Sequence, residues 1–327
     1  MKELVERFPI QLEEALQIAL SAKIKPTEIA IQNIVISGLG GSGIGGSIIA
    51  DLLSDTLQIP VIINKNYAIP AFVGKNTLFI ASSYSGNTEE TLEATHKAID
   101  EGAEVACITS GGKILQLAQE NNYNFIQLPA GYPPRSCIGY SMVQLLALLS
   151  GYGFISKDIL SQVKTSADLL RTNTTKIKTE AEKLAAFLYK KTPIIYTADG
   201  MEGVAVRFRQ QLNENSKMLC WHHILPEMNH NELVGWVSKN DNLALVYLRS
   251  KQEYSRTSER FAFLDKAIQG FTPNRFTVSS IGNTALEEIF YLIHLTDLSS
   301  VLLADKNEVD AMDIAVIDRL KSHLATF

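Results

Sequence analysis

The chain has 327 residues, of which 46% are hydrophobic and 20% charged, and it carries a formal net charge of −5. That is the composition of an ordinary folded protein with length enough for two domains. The acidic balance, without a basic stripe interleaved with aromatics, argues against a nucleic-acid partner, and no apolar run reaches the roughly 18 residues that span a bilayer, so no membrane partner is expected either.

Residues 1–8 open an amphipathic helix and not a signal peptide, and Leu12, Ala15, Leu16 and Ala19 continue the helical spacing toward residue 30. Apolar runs then predict strands at 34–37, 61–64, 78–82, 104–109 and 125–128, with helices at 44–53, 89–102 and 114–121 between them. Such alternation predicts a parallel sheet with helices on both faces. Right-handed crossovers would bring the loops after the first and third strands to one edge of that sheet, where ligands usually bind. A helix is expected over 135–150, and the polar helical stretch 158–191 has the mixed charge of a connector. A second alternation follows: strand 193–197, helix 203–212, strand 242–248, helix 259–269, strand 276–279. An apolar helix over 284–303 opens with Thr284 and Glu287 at capping-box spacing, and a last helix covers 309–324. The expected fold class is therefore α/β, in two related domains over 1–152 and 153–327.

Chemistry concentrates in two loops of the first domain. Strand 34–37 runs into Gly38-Leu39-Gly40-Gly41-Ser42-Gly43, and strand 78–82 runs into Ser83-Tyr84-Ser85-Gly86-Asn87-Thr88, each followed by a helix. Helix N-termini present unpaired N–H groups and the positive end of the dipole, and hydroxyls there add donors without charge. Two such loops on neighbouring parallel strands converge on one small anion, and phosphate is the candidate. Ser42, Ser83, Ser85 and Thr88 are the expected ligands, with Gly41 and Gly86 allowing close backbone approach. The second domain has no counterpart of the serine/threonine loop. Gly38, Gly40 and Gly43 also satisfy a dinucleotide fingerprint, but the second strand ends Asn64-Lys65-Asn66, without the carboxylate that would bind a ribose. Lys65 leaves only a 2′-phosphate version of that reading. Cys107, Cys137 and Cys220 are widely spaced and odd in number, which fits a reducing compartment and a cytoplasmic location, and supplies no disulfide framework.

These loops and the two-domain alternation resemble the sugar isomerase (SIS) fold. Pro134-Arg135, Gln211-Leu212-Asn213-Glu214-Asn215-Ser216-Lys217 and Pro226-Glu227-Met228-Asn229-His230-Asn231-Glu232 narrow the resemblance. Together the set is similar to the bifunctional phosphoglucose/phosphomannose isomerase family over essentially the whole chain. The resemblance implies two SIS domains and a cofactor-independent aldose–ketose isomerase acting on hexose 6-phosphates through a cis-enediolate. It also implies a homodimer with its site at the subunit interface.

Such chemistry needs a carboxylate to carry a proton between C1 and C2, and a cation or strong donor for the enediolate oxygen. Glu214 is the candidate base, with Asn213 and Asn215 placed to fix its carboxylate. His230 suits ring opening, since imidazole titrates near neutrality, and the resemblance implies that it serves the neighbouring subunit. Arg135 either stabilises the enediolate or grips the substrate. A family lysine near the C-terminus matches Lys321 best, with Lys306 competing. His222, His223, Glu227 and His230 show no recognised zinc spacing, so no metal is expected. Acceptance of both glucose and mannose configurations rests on the resemblance alone. The rivals are an SIS enzyme of amino-sugar phosphates and a non-catalytic sugar-phosphate sensor, which would not need Glu214, His230 and Arg135 together.

Overall fold

The computed structural model describes residues 1–324 and Thr326. It contains two compact units: Arg7–Thr172 with Gly282–Phe290, here the N-terminal unit, and Met1–Glu6 with Asn173–Ile281 and Tyr291–Phe327, the C-terminal unit. Helix α1 (Lys2–Glu6) thus groups with the C-terminal unit.

The N-terminal unit comprises α2 (Phe8–Ser21), β1 (Asn33–Ser37), α3 (Gly40–Leu53), β2 (Val61–Asn64), β3 (Thr77–Ser82), α4 (Glu89–Asp100), β4 (Glu104–Thr109), α5 (Gly112–Glu120), β5 (Asn124–Gln127), α6 (Ile138–Gly151) and α7 (Asp158–Thr172). Its strands are all parallel in the order β2-β1-β3-β4-β5. Alternation along the strands divides the core. Val35, Phe79, Ala81, Val105 and Cys107 pack against Ala94 and Ala98 of α4 and Ile114 and Ala118 of α5. On the other face Ile36 meets Gly46 of α3, and α3 lies against α6, all but one of whose residues are buried. Helices therefore cover both faces, as the near-continuous apolar strands require. The chain leaves β1 to one side for β2 and returns on the other for β3, so the loops after β1 and β3 diverge at a topological switch point.

The compact unit passes residue 152, the boundary expected from sequence, and continues through α7 to Thr172. The stretch 158–191 is not one connector. It breaks at Asn173, where φ is −102° and ψ 15°, into α7 and α8 (Thr174–Leu188). The run Thr172-Asn173-Thr174-Thr175 consists of weak helix formers, and each half buries its own apolar stripe in a different unit. The residues 282–290 join the N-terminal unit, where Phe290 meets Phe8 edge to face at 5.8 Å. Thr284 Oγ1 accepts the Glu287 N–H at 3.2 Å, while Glu287 reaches back to the Asn283 N–H at 2.6 Å, one residue earlier than a capping box predicts.

The C-terminal unit continues with β6 (Thr192–Ala198), α9 (Glu202–Glu214), β7 (Trp221–Leu225), β8 (Leu243–Arg249), α10 (Ser255–Ile268), β9 (Arg275–Ser279), the greater part of α11 (Ala285–Lys306) and α12 (Ala315–Leu324). Its parallel order β7-β6-β8-β9 repeats the pattern of β2-β1-β3-β4. β7 is absent from the sequence reading because Trp221-His222-His223 on an edge strand offers no apolar run. Ile194, Tyr196, Ala198, Leu245 and Tyr247 pack with Phe261 and Leu264 of α10 and with Met228 and Trp236. In the loop after β8, the counterpart of the loop after β3 in the first sheet, the nearly buried Glu253 carboxylate accepts from Arg249 Nε at 2.9 Å and Ser258 Oγ at 2.6 Å.

Candidate functional site

The register fixes the neighbours. Ile36 pairs with Ile80 and Ser37 with Ala81, so the loops leaving β1 and β3 start side by side. α3 begins at Gly40, not near residue 44, because Leu39 takes an extended N-cap conformation and the glycine-rich run itself forms the first helical turn. Low helix propensity hides such a turn in the sequence. Ser42 is thereby placed in the first turn of α3, where its Oγ accepts the Tyr84 N–H at 3.2 Å. This hydrogen bond joins the two loops directly.

Within the second loop, Ser83 is buried and its Oγ lies 3.0 Å from Thr88 Oγ1, while the Gly86 N–H donates to Ser83 Oγ at 3.2 Å. Thr88 is the N-cap of α4 but makes no side-chain cap, its hydroxyl being turned to Ser83 instead. Ser85 is exposed, and its Oγ accepts the Asn87 N–H at 3.2 Å. Gly86 sits at φ +68°, and a Cβ there would lie 1.8 Å from the Gly111 carbonyl oxygen, so no other residue fits. Two helix starts and several hydroxyls lie side by side here, the Tyr84, Gly86 and Asn87 N–H groups being bonded to the hydroxyls of Ser42, Ser83 and Ser85. The chemistry on offer is recognition of an anion by neutral donors and helix dipoles.

Arg135 belongs to the same unit. It occupies a 3₁₀ turn, Pro134–Ser136, that precedes α6, and it is buried. Gly41 permits this: a Cβ on it would lie 2.8 Å from the Pro134 carbonyl oxygen and 3.5 Å from Arg135 Cα. The structure thus brings Gly41, Ser42, Ser83, Ser85, Gly86, Thr88 and the backbone of Arg135 into one cluster at the C-terminal edge of the sheet.

Glu214, His230 and Lys321 belong to the C-terminal unit. Glu214 is the last residue of α9 and is half-buried. Asn213 does not aim its amide at that carboxylate: Nδ2 donates to the Met218 carbonyl at 2.7 Å. Asn215 Nδ2 donates to Ser300 Oγ at 2.9 Å and Ser216 Oγ to the Ser300 carbonyl at 2.6 Å. The two asparagines therefore brace the turn that ends α9. His230 is exposed at the end of the 3₁₀ turn Glu227–His230. Asn231 anchors that turn by donating to Glu227 Oε1 at 2.9 Å. Glu232 stands in a network, accepting from Tyr196 OH at 2.5 Å and Trp221 Nε1 at 2.9 Å. Lys321 is exposed on α12, 3.6 Å from Asp318, and Lys306 is exposed in the last turn of α11. His222 and His223 alternate along β7. His222 lies between Arg209 (3.2 Å) and Glu202 (3.5 Å), and burial lowers its pKa with Arg209 adding to the effect.

Two residues escape the sequence reading. Lys217, at φ +58°, donates to the Glu214 carbonyl at 2.5 Å and to the Asp313 carbonyl at 2.9 Å, tying the end of α9 to the segment leading into α12. Its place in the Asn-Glu-Asn-Ser-Lys run was the available signal. Tyr84 is the other, and its only sequence signal is its position among the hydroxyl residues.

Residues 177–324 match the family described as bacterial phospho-glucose isomerase C-terminal SIS domain. The bifunctional phosphoglucose/phosphomannose isomerase of Caldicellulosiruptor bescii is 37% identical, over 99% of both chains. The enzyme of that name from Aquifex aeolicus is 34% identical over 90% of both. A D-glucosamine-6-phosphate 4-epimerase of Sulfolobus acidocaldarius is 29% identical over 98% of this chain and 97% of its own. Among solved structures, the C-terminal domain of glucosamine-fructose-6-phosphate aminotransferase from Francisella tularensis shares the fold, with a TM-score of 0.73 at 14% identity, over 94% of this chain and 96% of that one. Tagatose-6-phosphate ketose/aldose isomerase from Escherichia coli has a TM-score of 0.66 at 16% identity, over 93% and 92%.

Proposed function

This chain belongs to the bifunctional phosphoglucose/phosphomannose isomerase family, and from that premise we propose that it interconverts glucose 6-phosphate and mannose 6-phosphate with fructose 6-phosphate without a cofactor. The observation that carries the substrate class is the hydrogen bond from the Tyr84 N–H to Ser42 Oγ, which joins two hydroxyl-rich helix starts into one anion-binding place. Ser42, Ser83, Ser85 and Thr88 hold the phosphate, with the amides of the Gly41 and Gly86 turns beside them. Because these donors meet the phosphate alike in ground and transition states, they set affinity more than turnover.

Proton transfer falls to Glu214. The two substrates differ in configuration at C2 and give one enediolate, so a single base that reaches either C2 proton serves both. Arg135 stabilises the enediolate oxygen, and His230 and Lys321 open the ring. The working form is a homodimer in the cytoplasm, His230 being contributed to the neighbouring subunit's site. Exposure of His230 in its own chain supports that assignment.

Replacing Glu214 by Gln tests the base. Turnover and exchange of the C2 proton with deuterated solvent fall by about 10²- to 10⁴-fold, while the Kd for fructose 6-phosphate stays within about threefold. Undiminished exchange would remove Glu214 from the mechanism.

A further inference from the structure

Tyr84 is flanked by two of the phosphate-binding serines but turns its side chain away from the phosphate place. The residue is 8% exposed. The phenol hydroxyl donates to the Pro129 carbonyl at 2.7 Å and accepts the Tyr132 N–H at 3.1 Å. Those are the carbonyl of residue i and the N–H of residue i+3 of one chain reversal, the two groups that bond to each other in an ordinary β-turn. Here the hydroxyl is inserted between them and satisfies both. The backbone of Tyr84 is held as firmly: its N–H is bound to Ser42 Oγ at 3.2 Å, and its carbonyl accepts from the Ser110 N–H at 2.9 Å and Ser110 Oγ at 2.6 Å.

The reversal leads straight to Arg135. After Tyr132 come Pro133 and Pro134, whose rings fix φ, so the position of Tyr132 passes almost rigidly into the 3₁₀ turn. On its other side that turn rests on Gly41. The arginine turn is thus clamped between the phosphate loop of α3 and a hydroxyl projected from the loop of β3.

We infer that Tyr84 is a positioning residue that couples the phosphate loops to Arg135, so that one rigid assembly sets the distance between the bound phosphate and the arginine. The inference rests on the assignment of Arg135 to the reaction. It differs from a phosphate-binding role because the hydroxyl is spent on the backbone of residues 129 and 132. It differs from plain core packing because the ring alone would serve that purpose.

The test is Tyr84→Phe, which keeps the ring and removes the clamp, compared with Arg135→Lys and with the double variant. In Tyr84→Phe, kcat for isomerisation falls by about 10- to 100-fold, as expected for a catalytic group displaced by a fraction of an ångström to 1 Å. Inhibition by inorganic phosphate, which reads the anion loops alone, changes less than about threefold. The double variant is no slower than Arg135→Lys by more than about threefold, because residues acting through one another are non-additive. An unchanged kcat in Tyr84→Phe, or a loss of phosphate inhibition as large as the loss of kcat, overturns the inference. Arg135→Lys without effect would instead remove the assignment on which it rests. If Tyr84→Phe is not recovered folded, Gly131→Ala decides: Gly131 lies at φ +93° in the same reversal with open space at its Cβ position, so the change distorts the turn alone. Reduced kcat with unchanged phosphate inhibition in that variant upholds the inference, and unchanged kcat overturns it.

Discussion

Arg207 on α9 and Asp297 on α11 form an ion pair with only 2% and 6% of their side-chain surfaces exposed. Burial pushes the Asp297 carboxyl up and Arg207 opposes it, so the carboxylate depends on its partner. The pair begins a polar seam that runs along α9 to the Asn215 and Ser216 bonds with Ser300, beside Glu214. Asp297→Leu breaks this buried pair by removing its anionic member, which costs about 3–5 kcal/mol. Against a total of roughly 5–15 kcal/mol that is a fifth or more of the stability, and at roughly 2–4 °C per kcal/mol the melting temperature falls by about 6–20 °C. Adding Arg207→Met removes the buried cation as well, and the double variant recovers to within about 2 kcal/mol of the parent, because apolar side chains of similar volume replace buried pairs at little cost. Urea denaturation followed by tryptophan fluorescence is the assay, since Trp221 and Trp236, the two tryptophans, both report the C-terminal unit. A cost below about 1 kcal/mol for Asp297→Leu, or a double variant as unstable as the single, would refute the reasoning.

His294 is buried on α11, and burial lowers its pKa from 6.5 to about 4. Because the folded value is depressed, the unfolded chain binds the proton first: this contribution to stability is full above pH 6.5 and is lost as pH falls toward 4, by about 3 kcal/mol in all. A His294→Gln variant will show that much less loss between pH 7 and pH 4 than the parent in urea titrations; parallel pH curves would contradict the burial argument. Ser85→Ala removes one donor to a charged phosphate and raises KM by about 10-fold or more with kcat nearly kept, so a loss confined to kcat would count against phosphate binding. Gly86→Ala forces a Cβ to within 1.8 Å of the Gly111 oxygen, and inhibition by inorganic phosphate should be lost; retained inhibition would show that the loop geometry is dispensable.

Hydrophobic patterning sufficed where strands are buried on both faces. Val35, Phe79 and Cys107 lie in runs that read as parallel strands without ambiguity. It failed where other forces act. The edge strand Trp221–Leu225 is held by its neighbour β6 and carries two histidines, so its pattern is polar. The first turn of α3 is helical despite the low propensity of glycine, and its Gly41 packs against Pro134 and Arg135, a tertiary contact that no local rule contains. The break at Asn173 is visible as weak helix formers, but the assignment of α7 and α8 to separate units depends on which core each stripe finds. At the site, the hydroxyl loop was legible because its residue types are dense and its place after a strand is informative. Tyr84 and Lys217 were not, since each acts through backbone groups 45 to 96 positions away.

The most direct test of the proposed function is a coupled assay for fructose 6-phosphate, with EDTA present, supplied separately with glucose 6-phosphate and mannose 6-phosphate. Turnover of both substrates at comparable kcat/KM is the expected result. Absence of fructose 6-phosphate from either sugar, with both still raising the melting temperature, would contradict it and turn attention to an inversion at another carbon, as the name of the Sulfolobus acidocaldarius relative suggests for that enzyme.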